Sequence, residues 1–311
     1  MSIGLALSGG GAKGMAHIGV IEALKDYGIK IDYIAGTSSG SIIAALFAAG
    51  YTPNEILSLV NRYKEQIVDI DKNVGFKLLG SVVNKKVSIK GFIKGNKLEK
   101  LLRYVLKNKG VEDISDIKMP LAIPTVDLNT GEIVYFWNNK EEKLDFHRSC
   151  LIQEDVQYDD IPSYYNSGNL SGIIRASCSV PGVFVPKKID ENHYVDGGVR
   201  VNTPVEVLKK MGADKVIAVT FDCNKRPTFS IENIVGISAQ AYNIMTHSIN
   251  RDEIAKADVN IHLCLHNVSL LDVSKANYLA KRGYNIVARN ITKIKEMLNI
   301  KWGANLKRLT L

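Results

Sequence analysis

Two glycine-framed turns near the start of the chain constrain its fold more than any other feature. Residues 9–14 read GGGAKG and residues 36–40 read GTSSG. Each follows a short apolar run with strand character, Ile3–Leu7 and Ile31–Ala35. Each then opens a helical pattern, Met15–Tyr27 and Ser39–Ala49. Gly28 and Gly50 stand where those helices should end. The order predicts a βαβ unit with parallel strands and a right-handed crossover. Both turns then leave the carboxyl edge of one sheet, where open α/β sheets bind ligands. The turns become neighbours although their first glycines are 27 residues apart.

The second turn fits G-x-S-x-G, a nucleophile elbow that exposes Ser38 between Gly36 and Gly40. The N–H groups of Gly10 and Gly11 can converge on a developing oxyanion, because no side chain blocks them. The helix after Ser38 adds the positive end of its dipole. This pairing predicts serine-ester hydrolysis. A serine hydroxyl needs a base. The six histidines (His17, His147, His193, His247, His262, His266) include none well placed for a triad, although that reading stays open. Asp196 follows the short strand His193–Val195 and precedes Gly197 and Gly198, so its backbone can turn sharply. In a desolvated pocket its carboxylate would have a raised pKa and could take the serine proton. The alternative is that Asp-Gly-Gly is a plain turn.

The first turn also matches the dinucleotide fingerprint G-x-G-x-x-G. Asp32, 18 residues after Gly14, mimics the acid that holds a ribose. That acid belongs at the carboxyl end of the second strand, whereas Asp32 stands at its beginning. Lys13 lacks the Gly-Lys-Ser/Thr order of a P-loop.

Charge is unevenly placed along the 311 residues. Residues 61–110 hold 13 Lys and Arg against 4 Asp and Glu, while the rest holds 27 against 28. The basic segment reads either as a solvated face or as a surface for anionic lipid headgroups. No recognised motif supports nucleic-acid binding. Cys150, Cys178, Cys223 and Cys264 lack C-x-x-C spacing and are expected to be reduced thiols. No metal-ligand cluster is visible, and no cofactor is expected. The first strand begins at Ile3, leaving no room for a leader, and no apolar run reaches the ~20 residues of a membrane span. The expectation is a cytoplasmic protein, at most peripheral at a membrane.

One domain over 1–311 is expected, with a basic helical insertion at 51–118 and a helical C-terminal region at 231–311. Thr52-Pro53-Asn54-Glu55 reads as a capping box starting a helix to about Val68. Asn96 is expected to cap an amphipathic helix with Leu98, Leu101, Leu102, Val105 and Leu106 on one face. Pro120–Asp127 and Glu132–Trp137 read as a hairpin. Helices are expected at Leu170–Ser179, Thr203–Met211, 231–257 and Ala276–Leu298, and strands at Lys215–Phe221 and Val259–Cys264.

The order GGGAKG, GTSSG, DGG resembles the patatin-like phospholipases, acyl hydrolases with a serine–aspartate dyad. Residues 176–184 (ASCSVPGVF), 15–20 (MAHIGV) and 127–132 (DLNTGE) are also similar to theirs. The resemblance covers about residues 1–225. It implies a three-layer α/β/α sandwich with a mostly parallel sheet. It implies Ser38 as nucleophile and Asp196 as general base. Gly9, Gly10, Gly11, Ala12 and Gly14 would form the oxyanion loop, with Lys13 at its basic position. It implies an acyl-enzyme on a lipid, phospholipid or lysophospholipid substrate. The rival readings are a nucleotide-binding protein and a non-catalytic membrane adaptor.

Overall fold

A computed structural model describes residues 1–64, 91–138, 162–221, 234–266, 268 and 272–300. In chain order the elements are β1 (Ile3–Leu7), α1 (Ala16–Asp26), β2 (Tyr33–Gly36), α2 (Ser39–Ala48), α3 (Pro53–Tyr63) and α4 (Asn96–Lys107). There follow β3 (Leu121–Asp127), β4 (Ile133–Trp137), β5 (Ser163–Tyr165), α5 (Leu170–Ser177), β6 (Lys187–Ile189) and β7 (Asn192–Asp196). The last are α6 (Val205–Lys210), β8 (Lys215–Thr220), α7 (Ile234–Ala255), β9 (Val259–His262) and α8 (Ala276–Met297).

The sheet runs β5-β4-β3-β2-β1-β8-β9, with β6 and β7 attached beside β3. From β3 to β9 the neighbours are parallel, and β4 returns antiparallel as the hairpin partner of β3. Side chains alternate between the faces of a strand, and here the alternation separates large from small. Leu5, Leu7, Ile34, Ile123, Ile217 and Val219 enter the core that packs under α1, α2 and α8. Ala6, Ala35, Ala122 and Ala218 face the other way, against Val205, Leu208 and Met211 around α6. The sheet thus lies between two helical layers, as the resemblance implied.

Glycines set how closely the C-terminal helix approaches. A Cβ on Gly19 of α1 would run into the Ala280 carbonyl, and one on Gly283 of α8 into that of Ala16. The two helices therefore meet backbone to backbone, which fixes α8 against the helix that follows the glycine loop.

Several expectations shift in detail. The Thr52 capping box is present, with Glu55 N–H donating to Thr52 Oγ1 at 3.3 Å and Thr52 N–H to Glu55 Oε2 at 2.7 Å. The extension of α3 to Val68 lies outside the described residues, as do most of the basic segment, His147, Cys150 and Cys223. Asn96 is not the cap of α4. Gly95 is, at φ 70°, and the buried Arg175 side chain packs against it so closely that no Cβ would fit. The second strand starts at Tyr33, and α5 ends at Ser177, two residues earlier than expected. Strand β5 (Ser163–Tyr165) has no counterpart among the strands expected from the sequence. Cys178 is a free, buried thiol, but Cys264 is disulfide-bonded, which corrects the all-reduced expectation. Spacing along the chain carries no information about which cysteines a fold brings within bonding range.

Candidate active site

The register of the sheet explains why Ser38 and Asp196 meet. One edge of β3 is taken by β4, from Ala122 to Val126. The other edge is shared. Leu121 and Ala122 pair with β2, whereas Thr125, Val126 and Asp127 pair with β7. Where β2 ends at Gly36, β7 takes its place, with Asp196 opposite Thr125. Ser38 lies two residues past the end of β2, so the carboxylate is delivered beside the turn.

That turn is strained. Ser38 has φ 54° and ψ −125°, outside the regions that L-residues ordinarily occupy. Its N–H donates to Ser177 Oγ at 3.0 Å, and Ser177 Oγ donates to the Pro124 carbonyl at 2.8 Å. Ser41 N–H and Oγ both donate to the Ser38 carbonyl, at 2.9 and 2.6 Å. Gly40 presses so closely on the end of β1 that a Cβ would overlap the Leu7 carbonyl. These contacts hold the elbow in a conformation the sequence alone does not favour.

The glycine loop lies against Ser38. A Cβ on Gly9 would come within 3.1 Å of Ser38 Cβ. Gly9 N–H donates to the Asn202 carbonyl at 3.1 Å, and Gly11 to Met15 form a 3₁₀ turn. Among the described residues no backbone carbonyl accepts from the N–H of Gly10 or Gly11. Ala12 and Lys13 are buried within that turn, and Gly14 packs against Ser39.

Asp196 is 1% exposed. Its Oδ1 accepts from Gly198 N–H at 2.8 Å, while Oδ2 is buried without a hydrogen bond of regular geometry. Burial raises its pKa to about 6. The Gly198 N–H and the nearby hydroxyls of Ser38 and Tyr242 pull against that rise. Gly197 and Gly198 let the chain pass close by, Gly197 against the Pro124 carbonyl and Gly198 against the Tyr242 hydroxyl.

Tyr242 is the site residue that sequence reading missed. It lies on α7, 46 residues after Asp196, in a segment with no recognisable motif. Burial and the Asp196 charge raise its pKa well above the ordinary value, so the phenol stays protonated and can donate to the carboxylate.

The rival assignments fare differently. His17 is fully buried, with Nε2 2.8 Å from the Ser8 carbonyl and its ring 4.5 Å from that of Phe221. Burial lowers its pKa to about 4, so it is a neutral core residue beneath the glycine loop. His262 Nδ1 lies 3.0 Å from Thr220 Oγ1, at the far side of the sheet. Asp32 sits at the amino edge, accepting from Ile3 N–H at 3.0 Å and Lys30 Nζ at 2.6 Å, away from the glycine loop. Burial pushes the Cys178 thiol up to about 12, which leaves it inert at neutral pH. Among the described residues, no group of three His, Cys, Asp or Glu could hold a metal ion.

An apolar channel leads from this point. Ser38, Gly11 and Ala12 line it together with Ile42 and Leu46 of α2. Leu59 and Val60 of α3, Leu98, Leu102 and Val105 of α4, and Val180 and Phe184 supply the rest of its apolar lining.

An α/β sheet that sets a strained elbow serine beside a buried carboxylate and a glycine loop defines a class of site. The chain belongs to the patatin-like phospholipase family, whose model, described as "Patatin-like phospholipase", it matches over residues 5–209. The family is one of lipid hydrolases. The uncharacterized protein YqhO of Bacillus subtilis is 30% identical over 268 residues, covering 82% of this chain and 84% of that protein. The lysophospholipase NTE1 of Scheffersomyces stipitis is 29% identical over 218 residues, covering 70% of this chain but only 12% of that much longer protein. Among solved structures, VipD from Legionella pneumophila has 14% identity and a TM-score of 0.47, covering 94% of this chain and 67% of its own.

Proposed function

We propose that the protein hydrolyses acyl esters of lipids through a Ser38–Asp196 dyad. The observation that carries this reading is the convergence of three separate motifs at one point, with the free oxygen of a desolvated carboxylate beside a strained serine. Ser38 Oγ attacks the ester carbonyl and gives its proton to Asp196. The N–H groups of Gly10 and Gly11 face the developing oxyanion, so its charge is met by preorganised donors. Collapse of the intermediate breaks the acyl–oxygen bond, and the proton on Asp196 goes to the leaving alkoxide. Water then attacks the acyl-enzyme, again giving its proton to Asp196. The fatty acid departs as Ser38 recovers its proton. A pKa of about 6 suits this role, because Asp196 is ionised at neutral pH yet basic enough to accept a proton.

The apolar channel favours a lipid acyl chain over a small polar ester, since its walls supply almost no polar partners. Phospholipids or lysophospholipids are the proposed substrates, and the relative named a lysophospholipase is consistent with them. Peripheral contact with anionic membranes through 61–110 belongs to the same proposal, as does a location in the cytoplasm. The described part of that segment is partly neutralised: Arg103 pairs with Glu99, Lys107 with Glu112 and Lys109 with Glu55. Among the described residues no helix is long and apolar enough to cross a membrane.

The test is fatty-acid release from phosphatidylcholine and lysophosphatidylcholine by the parent, Ser38→Ala and Asp196→Asn. The proposal expects release by the parent and losses of about 10⁴-fold or more in both variants. Full activity in either would overturn it.

A further inference from the structure

We infer a second, anion-binding site on the same edge of the sheet, fitted to a phosphate monoester or diester. The site is a groove of about 390 Å³ where the chain leaves β9 at Leu263 and passes beneath α8. Its polar lining comes from one face of α8: Arg282, Asn285, Arg289 and Asn290. These positions are i, i+3, i+7 and i+8, so they share one stripe of the helix. The two arginines stand about 10 Å apart along the axis, within reach of a single phosphoryl group from either side. No acidic side chain is among the described lining residues.

Charge and geometry point to the same ligand. Helix α8 carries Lys281, Arg282, Arg289, Lys293 and Lys295 against the single acid Glu296. Among the described residues, no carboxylate pairs with Arg282 or Arg289, in contrast to Arg103 and Lys107 of α4. Arg282 is held in place by its own helix, with Nη1 donating to the Tyr278 hydroxyl at 3.2 Å and the guanidinium 6.0 Å from that ring. Its other N–H groups remain for a ligand. Asn290 Nδ2 donates to the Ile286 carbonyl at 2.8 Å. Guanidinium forks match phosphate oxygens two at a time, and planar, bidentate recognition is where arginine outperforms lysine. Strands β2, β1, β8 and β9 are parallel neighbours, so the groove opens at the edge that carries Ser38, three strand spacings or about 14 Å to the side. Charge along the sequence is densest in 61–110, whereas this groove is lined by arginines of α8.

The experiment measures two kinds of binding in the full chain. One arm is the rise in Tm with inorganic phosphate at matched ionic strength. The other is cosedimentation with phosphatidylglycerol vesicles, with phosphatidylcholine vesicles as the neutral reference. Arg282→Gln/Arg289→Gln should weaken binding at least tenfold in one arm or both, since both charge-assisted forks are lost. Both arginines are exposed, so the fold should survive, and circular dichroism checks it. Loss in the phosphate arm alone identifies a free phosphorylated ligand. Loss that includes the vesicle arm identifies a lipid headgroup. Arg289→Lys should recover only part of the affinity, because it keeps the charge but not the fork. Unchanged binding in both arms overturns the site. So does an equal loss from Lys97→Gln/Lys100→Gln on α4, which would show that positive charge anywhere suffices. None of these substitutions touches Ser38 or Asp196, so the outcome is independent of the ester-hydrolase reading.

Discussion

Ser38 occupies a backbone conformation that costs a non-glycine residue about 1–3 kcal/mol. The surrounding bonds to Ser177 and Ser41 maintain it, and the gain is a hydroxyl presented beside Asp196. Replacing Ser38 by glycine should therefore leave a more stable protein than replacing it by alanine, by about 1 kcal/mol in urea unfolding. Equal stability would mean the elbow is relaxed. Asp196 makes a second residue-scale statement. Its raised pKa predicts an acid limb in kcat/KM near pH 6, with activity falling about tenfold per pH unit below it and level above. A limb near pH 4 would mean that the carboxylate is solvated in the working enzyme.

Elements differ in how openly the sequence announces them. The motif-bearing turns were legible because each needs unusual residues: glycine where backbones touch, and serine on a sharp bend. The capping box of α3 was legible for the same reason. What was not legible depends on distant packing. Gly95 displaces Asn96 as the cap because Arg175, 80 residues away, fills the space beside it. Tyr242 reaches Asp196 only because α7 crosses the Asp-Gly-Gly turn. Helices α3 and α4, which sequence reading marked mainly as a basic insertion, turn their apolar faces to the channel. Leu102→Trp, placed in that wall, should cut hydrolysis of long-chain esters at least tenfold while leaving a butyrate ester within about twofold. Equal loss for both chain lengths would place the acyl chain elsewhere.

At the scale of the molecule, two buried ionisable groups oppose one another. Asp196 has a folded pKa raised from 3.8 to about 6, so the folded state holds its proton more tightly. Its contribution favours folding below pH 4 and is lost as pH rises towards 6. His17 has a folded pKa lowered from 6.5 to about 4, so its contribution is present above 6.5 and is lost as pH falls towards 4. Each is worth up to about 3 kcal/mol, and their slopes nearly cancel over this window. Asp196→Asn removes one side of the balance. The variant should be more stable than the parent at pH 7, by up to about 3 kcal/mol, and that advantage should vanish by pH 4. Urea unfolding at the two pH values checks this. An advantage that stays constant would remove the desolvation argument. Higher stability without activity is the outcome expected of a carboxylate buried for chemistry rather than for folding.

The central claim is that Ser38, activated by Asp196, is the nucleophile. Intact-protein mass after reaction with a fluorophosphonate, followed by peptide mapping, addresses it without knowledge of the true substrate. One adduct on the parent, carried by Ser38, is the predicted result, with none on Ser38→Ala and greatly slowed labelling of Asp196→Asn. An adduct on any other serine, or undiminished labelling of Ser38→Ala, would contradict the account.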